Sequence, residues 1–503
     1  MPAPSRHPQS LRNVDRRGAD GCLTSRGPGE TACVPRRRDR ARVPARTAIS
    51  IMGRHFLRVA AALALLAFLA VRPADAQARQ WHVDQAGPAV GDGTAWATAW
   101  GSFHAIDWGK IAPGDTVYIS GGSSGQTYKE PLTVGASGSA AGAITITKGI
   151  DPGHNGAVVI DGQGVQPLGV EIYGQNYVTV SQLEVRNTAT AAFSVKSVTA
   201  GVVLEDNSAY SGDTGDGTSR GYDVRDSVGP NAVVVRRNSF STPASTQAQT
   251  DGIWSSNNNG VVFENNRIVV SNSDTTGHSD GIQSFQDISI TVRNNWFEQA
   301  NNAPINNHGI WLQNERSGGV IEVYNNVVLA PNLIADAAVS HEQLSDWGHI
   351  SVVQFWNNTI LGGDRALQLN NAPLDDVRNN IIWTEHAGGR GIDLKGTAPA
   401  ADQIDYNLLY APNGYAGYIE GIHTFSWSQW QARGYDVHGL SANPQFINPT
   451  AKDFRPGLRS PILNAGERLP GISVGFGDIA VPHGARPNLG AYQEQPSGVT
   501  GSR

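Results

Sequence analysis

Sulfur is scarce in this chain: 503 residues hold two cysteines and two methionines. Both cysteines, Cys22 and Cys33, fall near the start. The chain beyond them can form no disulfide, so its stability must come from a large core. Lysine is absent between Lys196 and Lys395, which removes it from the middle of the chain as a base or charge clamp. Long apolar runs are missing too. The one candidate, Val59 to Val71, is too short to span a bilayer. Arg54 and Arg58 precede it and Ala74-Asp75-Ala76 follows it. Basic start, apolar centre and small-x-small site together read as a secretory signal at 52–76, cleaved near Ala76. The expected location is therefore outside the cytoplasm, secreted or periplasmic.

Residues 1–51 carry eleven arginines against four acidic residues, with no periodicity. They read as a misannotated start upstream of Met52 or as a disordered basic leader. Fourteen of the 38 basic residues and five of the 44 acidic ones lie before Gln77. The chain from Gln77 on thus holds 24 basic and 39 acidic groups, a net of about −15. That balance argues against nucleic acid and anionic membrane as partners. It leaves room for an acidic polymer held in a locally positive groove.

What the chain does have is a repeat. The segments "LEDNSAY", "VRRNSFS", "FENNRIV", "VRNNWFE", "VYNNVVL", "FWNNTIL", "VRNNIIW" and "IDYNLLY" each set an asparagine between two short apolar-alternating runs. These are Asn207, Asn238, Asn266, Asn295, Asn326, Asn358, Asn380 and Asn407, spaced 22 to 32 residues apart. A second register travels with them: "GYDVRDS", "DGIWSSN", "DGIQSFQ", "HGIWLQN". Period-two alternation predicts strands. A repeat of this length built from short strands predicts one coil per repeat, stacked in parallel sheets about 4.8 Å apart. Asparagine at one bend of every coil is expected to take the left-handed conformation and to bond its neighbours as a ladder. A β-sandwich or barrel would show turns every 8–12 residues and no such register. The fold class expected is all-β, a right-handed parallel β-helix: a solenoid with an N-terminal cap and an irregular C-terminal segment. Its divisions are 77–145 for the cap and first coil, 146–411 for the coils, 412–493 for a helical insertion and capping segment, and 494–503 for a disordered tail.

The second register carries the chemistry. If Tyr222, Ile253, Ile282 and Ile310 point inward, alternation sends Asp223, Trp254, Gln283 and Trp311 outward in one row. Such a row suits an extended sugar polymer. The entry position holds Asp251, Asp280 and His308 in three consecutive coils. Two carboxylates at one station cannot both ionise cheaply, so one should become an acid and the other a base. His278 and His308 flank the pair and could tune it. The plainer reading is that Asp-Gly is ordinary turn chemistry.

These features resemble the right-handed parallel β-helix proteins of the pectate lyase and polygalacturonase superfamily, over roughly residues 80–493. "PGDTVYISGG" with "AITITKG" is similar to their first coil, and "NPQFINPTAKDFRPGLRSPILNAGE" with "RPNLGAYQ" to their closing segment. "QTDGI", "HSDGI" and "NHGI" resemble the three successive motifs of polygalacturonase-like hydrolases. The resemblance implies that Asp251, Asp280 and His308 inherit catalytic positions. Ser279, however, stands where the family's general acid is expected, and the later Arg-x-Lys is missing, so His278 would have to serve as a different proton donor.

The resulting expectation is a secreted enzyme that hydrolyses glycosidic bonds of an extracellular polysaccharide. Its catalytic residues would be Asp251, Asp280, His308 and His278. Its substrate contacts would be Trp254, Gln283, Trp311, Asp223, Arg225 and Arg316. It would need no cofactor, span no membrane and act as a monomer. The alternatives are a polysaccharide lyase on a uronate polymer, with Ca²⁺ held by Asp223, Asp226, Asp251 and Asp280, and a non-catalytic binding or surface solenoid.

Overall fold

The computed structural model describes residues 78–496 apart from 89, 212–218, 244–249, 273–277, 303–306, 334–335, 344–349 and 482–483. The leader, the signal segment, both cysteines and the last residues of the tail lie outside the described residues.

From Gln80 on, the chain winds through three parallel sheets. Sheet I has twelve strands, from Gln80–Val83 to Ile404–Asp405; sheet II has eleven, from Gln126–Tyr128 to Leu408–Tyr410. Sheet III has twelve, from Leu132–Val134 to His423–Phe425. Each coil runs III to I to II, and each strand pairs in parallel with its equivalent one coil on. The apolar half of each strand faces one continuous interior. Tyr222, Ile253, Ile282 and Ile310 form one such column, all 0% exposed.

The asparagine ladder lies at the corner between sheets I and II. The side-chain amide of Asn207 donates to Asn238 Oδ1 at 3.1 Å, and the pattern repeats through Asn266, Asn295, Asn326, Asn358, Asn380 and Asn407. Each amide also donates to a backbone carbonyl of the preceding coil, as Asn295 does to Phe263 at 2.9 Å. One detail differs from the sequence reading. The left-handed residue is the one before each ladder asparagine: Asp206, Arg237, Asn265, Asn294, Asn325, Asn357, Asn379 and Tyr406, with φ of 53–58°. The ladder residue is freed from the turn to point inward, and two roles assigned to one residue belong to two.

Aromatic caps close both ends of the described stack. Trp81 stacks on Trp100 at one end. At the other, sheet III extends past residue 411 through Tyr415–Ile419 to the antiparallel His423–Phe425. The predicted helix is short, Trp427–Gln431, and Phe425 precedes it on a strand. Trp430 from that helix is 0% exposed and donates to Asp436 Oδ2 at 2.9 Å. Asp436 in turn accepts from Asn407, ending the ladder. The C-terminal segment packs along sheet II, Phe454 against Trp296 and Phe446 against Trp383.

Candidate active site

Glycine sets the geometry at the start of each sheet III strand. A Cβ on Gly252 would meet Ile268 Cγ2 at 2.1 Å; on Gly309 it would meet Val328 Cγ1 at 2.2 Å. Those neighbours are core residues of sheet II. Glycine and the apolar residue after it therefore both turn inward, and the strict alternation breaks. The residue before glycine is left on the same side as the residue three places on. Two contacts show this directly: the ring of His308 stacks on Trp311 at 4.8 Å, and Arg220 Cζ lies 4.3 Å from the Trp254 ring centre.

Register sets the four expected positions in one row, but only Trp254 and Trp311 are partly exposed, and Asp223 and Gln283 are buried. Asp223 pairs with Trp254, Trp254 with Gln283, and Gln283 with Trp311 in consecutive register positions. Both tryptophans are half-buried. Gln283 is buried between them with its Oε1 unpartnered, and the indole N–H groups of Trp254 and Trp311 have no partner among the described residues.

Beside this row the acids converge. The backbone N–H of Asp280 donates to Asp251 Oδ1 at 3.1 Å. His278 Nδ1 lies 2.9 Å from Asp280 Oδ2. The backbone N–H of His308 donates to Asp280 Oδ1 at 2.7 Å, and its ring Nδ1 lies 3.1 Å from the same oxygen. Ligand atoms of Asp251, His278 and Asp280 all lie within 4.8 Å of one another. Asp251 and Asp280 are buried.

Their environments push the two acids apart. Burial, reinforced by the charge of Asp280, raises Asp251 well above the ordinary carboxylate range. Burial acts on Asp280 in the same direction. There the hydrogen bonds from His278 and His308, with their charges, outweigh it and hold Asp280 below its ordinary value. Burial alone would lower His278, yet its hydrogen bond to Asp280 and the nearby carboxylates lift it to about 8. In mildly acidic solution the site thus holds one protonated acid, one carboxylate and one imidazolium.

The remaining candidates fall in different places. Asp223 is buried and committed to Arg225 at 2.5 Å, with Lys196 at 3.6 Å. Arg225 reaches the Trp254 ring at 5.7 Å. Asp226 and Arg316 are not brought to the acid pair. Asp226 sits exposed at a left-handed turn residue after its strand and accepts from Asn257 at 2.7 Å. Arg316 donates to the other end of that amide at 2.7 Å. The four-aspartate cation set expected from sequence is therefore not assembled; among the described residues the cluster is Asp251, Asp280 and His278. Ser279 is a brace, accepting from the Thr250 N–H at 3.0 Å.

Sequence reasoning missed Arg220. It occupies the Asp251 station one coil earlier, and the alignment of "SRGY" with "TDGI" was the available signal. It also missed Gln299, whose amide donates to the carbonyls of Ser279 and His308 at 2.8 and 2.7 Å and ties the two neighbouring strand entries together. Gln299 lies on sheet II, and nothing in its local sequence marks it.

A family model described as a right handed beta helix region matches residues 168–343. The chain is a right-handed parallel β-helix protein. Among solved structures, the pectate lyase Pel9A aligns at a TM-score of 0.50 and 15% identity, covering 83% of this chain and 96% of that one. A XylC–xylose complex aligns at 0.47 and 10%, covering 83% and 98%, and a rhamnogalacturonan lyase at 0.40 and 14%, covering 80% and 96%. No curated protein sequence matches this β-helix protein. The likeness to Pel9A is one of fold.

Proposed function

We propose that this β-helix protein is a carbohydrate-active enzyme that hydrolyses glycosidic bonds of an extracellular polysaccharide, with Asp251 as general acid and Asp280 as the ionised partner. The observation that carries the reading is the acid pair itself. Two carboxyls in adjacent coils are pushed in opposite directions beside a Trp–Gln–Trp row. Glycosidic cleavage needs a proton donor for the leaving oxygen and a second carboxylate at the anomeric carbon. The nearest oxygens of the pair lie within 4.8 Å. Asp280 is the ionised partner in this reading, His278 and His308 stabilise its charge, and the indoles seat sugar rings. Export follows from the signal at 52–76. No helix among the described residues is long and apolar enough to cross a membrane.

A second reading is a cation-assisted lyase on a uronate polymer, favoured by the Asp251–His278–Asp280 cluster. The two carboxylates are the hard oxygen donors Ca²⁺ takes, and His278 is left as base. The bound cation would neutralise the uronate carboxylate. A panel of neutral and acidic polysaccharides separates the two. New reducing ends without the ultraviolet absorbance of an unsaturated product, unaffected by EDTA, support hydrolysis. Absorbance that EDTA abolishes supports the lyase, and binding without either contradicts both.

A further inference from the structure

Behind the outer row, inside the coil, runs a seam of polar side chains. Ser255 and Ser284 sit in register on the strands that follow Asp251 and Asp280, and both are 0% exposed. At the adjoining corner lie Asn258, Asp287 and Glu315, also fully buried. Ser255 Oγ lies 2.5 Å from Asp287 Oδ2, and Ser284 Oγ lies 2.7 Å from the same oxygen. Ser284 Oγ also lies 2.5 Å from Glu315 Oε1. Asp287 Oδ1 accepts from the Asn258 N–H at 2.6 Å.

These contacts can be counted in protons. Three oxygen–oxygen hydrogen bonds join two hydroxyls and two carboxyls. The two hydroxyls supply two protons. The third must sit on a carboxyl. Asp287 has three donors aimed at it, which favours its ionised form. Glu315 has one side-chain contact, to Ser284, beside the backbone N–H groups of Asp287 and Gln313, and its buried Oε2 has no hydrogen-bond partner. A buried carboxylate so poorly served is costly.

We infer that Glu315 carries a resident proton in the folded protein, donated to Ser284, whose hydroxyl in turn donates to Asp287. Burial and the charge of Asp287 push Glu315 well above its ordinary value, in keeping with this assignment. The other groups around it are Ser255, Asn258 and Gln343, whose amide donates to the Glu315 carbonyl at 3.0 Å and leads on to His341 and Asp375. The neighbouring Arg316 guanidinium is turned to Asn257. No Lys, Arg or His forms an ion pair with Glu315 among the described residues.

The consequence is a pH-dependent fold. An unfolded glutamic acid titrates near ~4.3. Glu315 keeps its proton above that, so folding takes up one proton and its stabilisation is full below that value. It declines as pH rises toward the folded-state pKa, by about tenfold in the folding equilibrium constant per pH unit. The group that gives up this stabilisation as pH rises lies directly behind the candidate catalytic strands.

The test is urea unfolding of the full chain across pH for the wild type, Glu315→Gln and Asp287→Asn. Glu315→Gln supplies an N–H where the resident proton sits, so it should fold and lose one proton's worth of pH dependence, a relative flattening of about tenfold per unit. Asp287→Asn removes the charge that helps hold the proton on Glu315 and should flatten the slope by less. Folded variants that keep the wild-type slope would overturn the inference, as would failure of both isosteres to fold.

Discussion

Asp251 Oδ1 accepts a hydrogen bond from the backbone N–H of Asp280 at 3.1 Å, so the acid of one coil is tied to the acid of the next. This bond fixes the register of the pair and keeps the two carboxyls too close to ionise together. The chemistry expected of the site follows from that closeness.

The pH dependence of kcat/KM should be bell-shaped. Asp280 must be ionised, and its pKa lies below the ordinary carboxylate range, so activity is lost only well into acid. Asp251 must be protonated, so activity also falls as pH rises through its raised pKa. Replacing His278 by Gln removes a cation and a hydrogen bond from Asp280. The acid limb should move to higher pH; a profile that does not move would show that His278 leaves Asp280 untuned.

Trp254→Ala and Trp311→Ala should differ. Trp254 carries no catalytic side chain on its ring; its neighbours are Arg220 and Arg225. Its loss should raise KM, with an aromatic contact worth about 1 kcal/mol beyond its area, and leave kcat nearly unchanged. Trp311 supports both His308 and His278, so its loss should lower kcat as well. Steady-state kinetics on the best polymer of the panel reads the split.

Asn295→Ala should be among the most destabilising surface-neutral changes in the stack. Its amide oxygen accepts from the backbone N–H and side chain of Asn266, and its nitrogen serves Phe263 and Asn326. Removing it strands several buried polar groups, each costing about 1–3 kcal/mol. Urea denaturation should show a large shift in midpoint, and a shift near zero would mean the ladder is decorative.

Gly281→Ala tests why the motif needs glycine. The added Cβ would meet the Gly309 carbonyl at 2.4 Å and Phe297 Cδ1 at 2.8 Å. Overpacking of this kind costs about 1–3 kcal/mol. Because the shift pushes on the chain beside Asp280, activity should fall further than stability does.

The solenoid was legible because its physics is periodic. A bend that recurs at Asn207 through Asn407 can be seen by aligning the chain with itself, and the Trp254–Gln283–Trp311 row follows from that alignment. The left-handed residue escaped because "NN" places two asparagines at the corner and sequence cannot say which one turns. Facing was also half-legible. Alternation alone would send Asp251 inward with Ile253, and only the inward glycine reverses it. Arg220 was visible in register but not in type, since an arginine at an aspartate station looks like a break in the motif. Asp287 and Glu315 were invisible, because a buried carboxyl in the core looks in sequence like an exposed turn acid.

The central claim is best tested with Asp280→Asn, measured for release of reducing ends and, separately, for binding of the same polysaccharide. The account predicts a fall in kcat of roughly 10²-fold or more with binding retained. Turnover at the wild-type rate would contradict it.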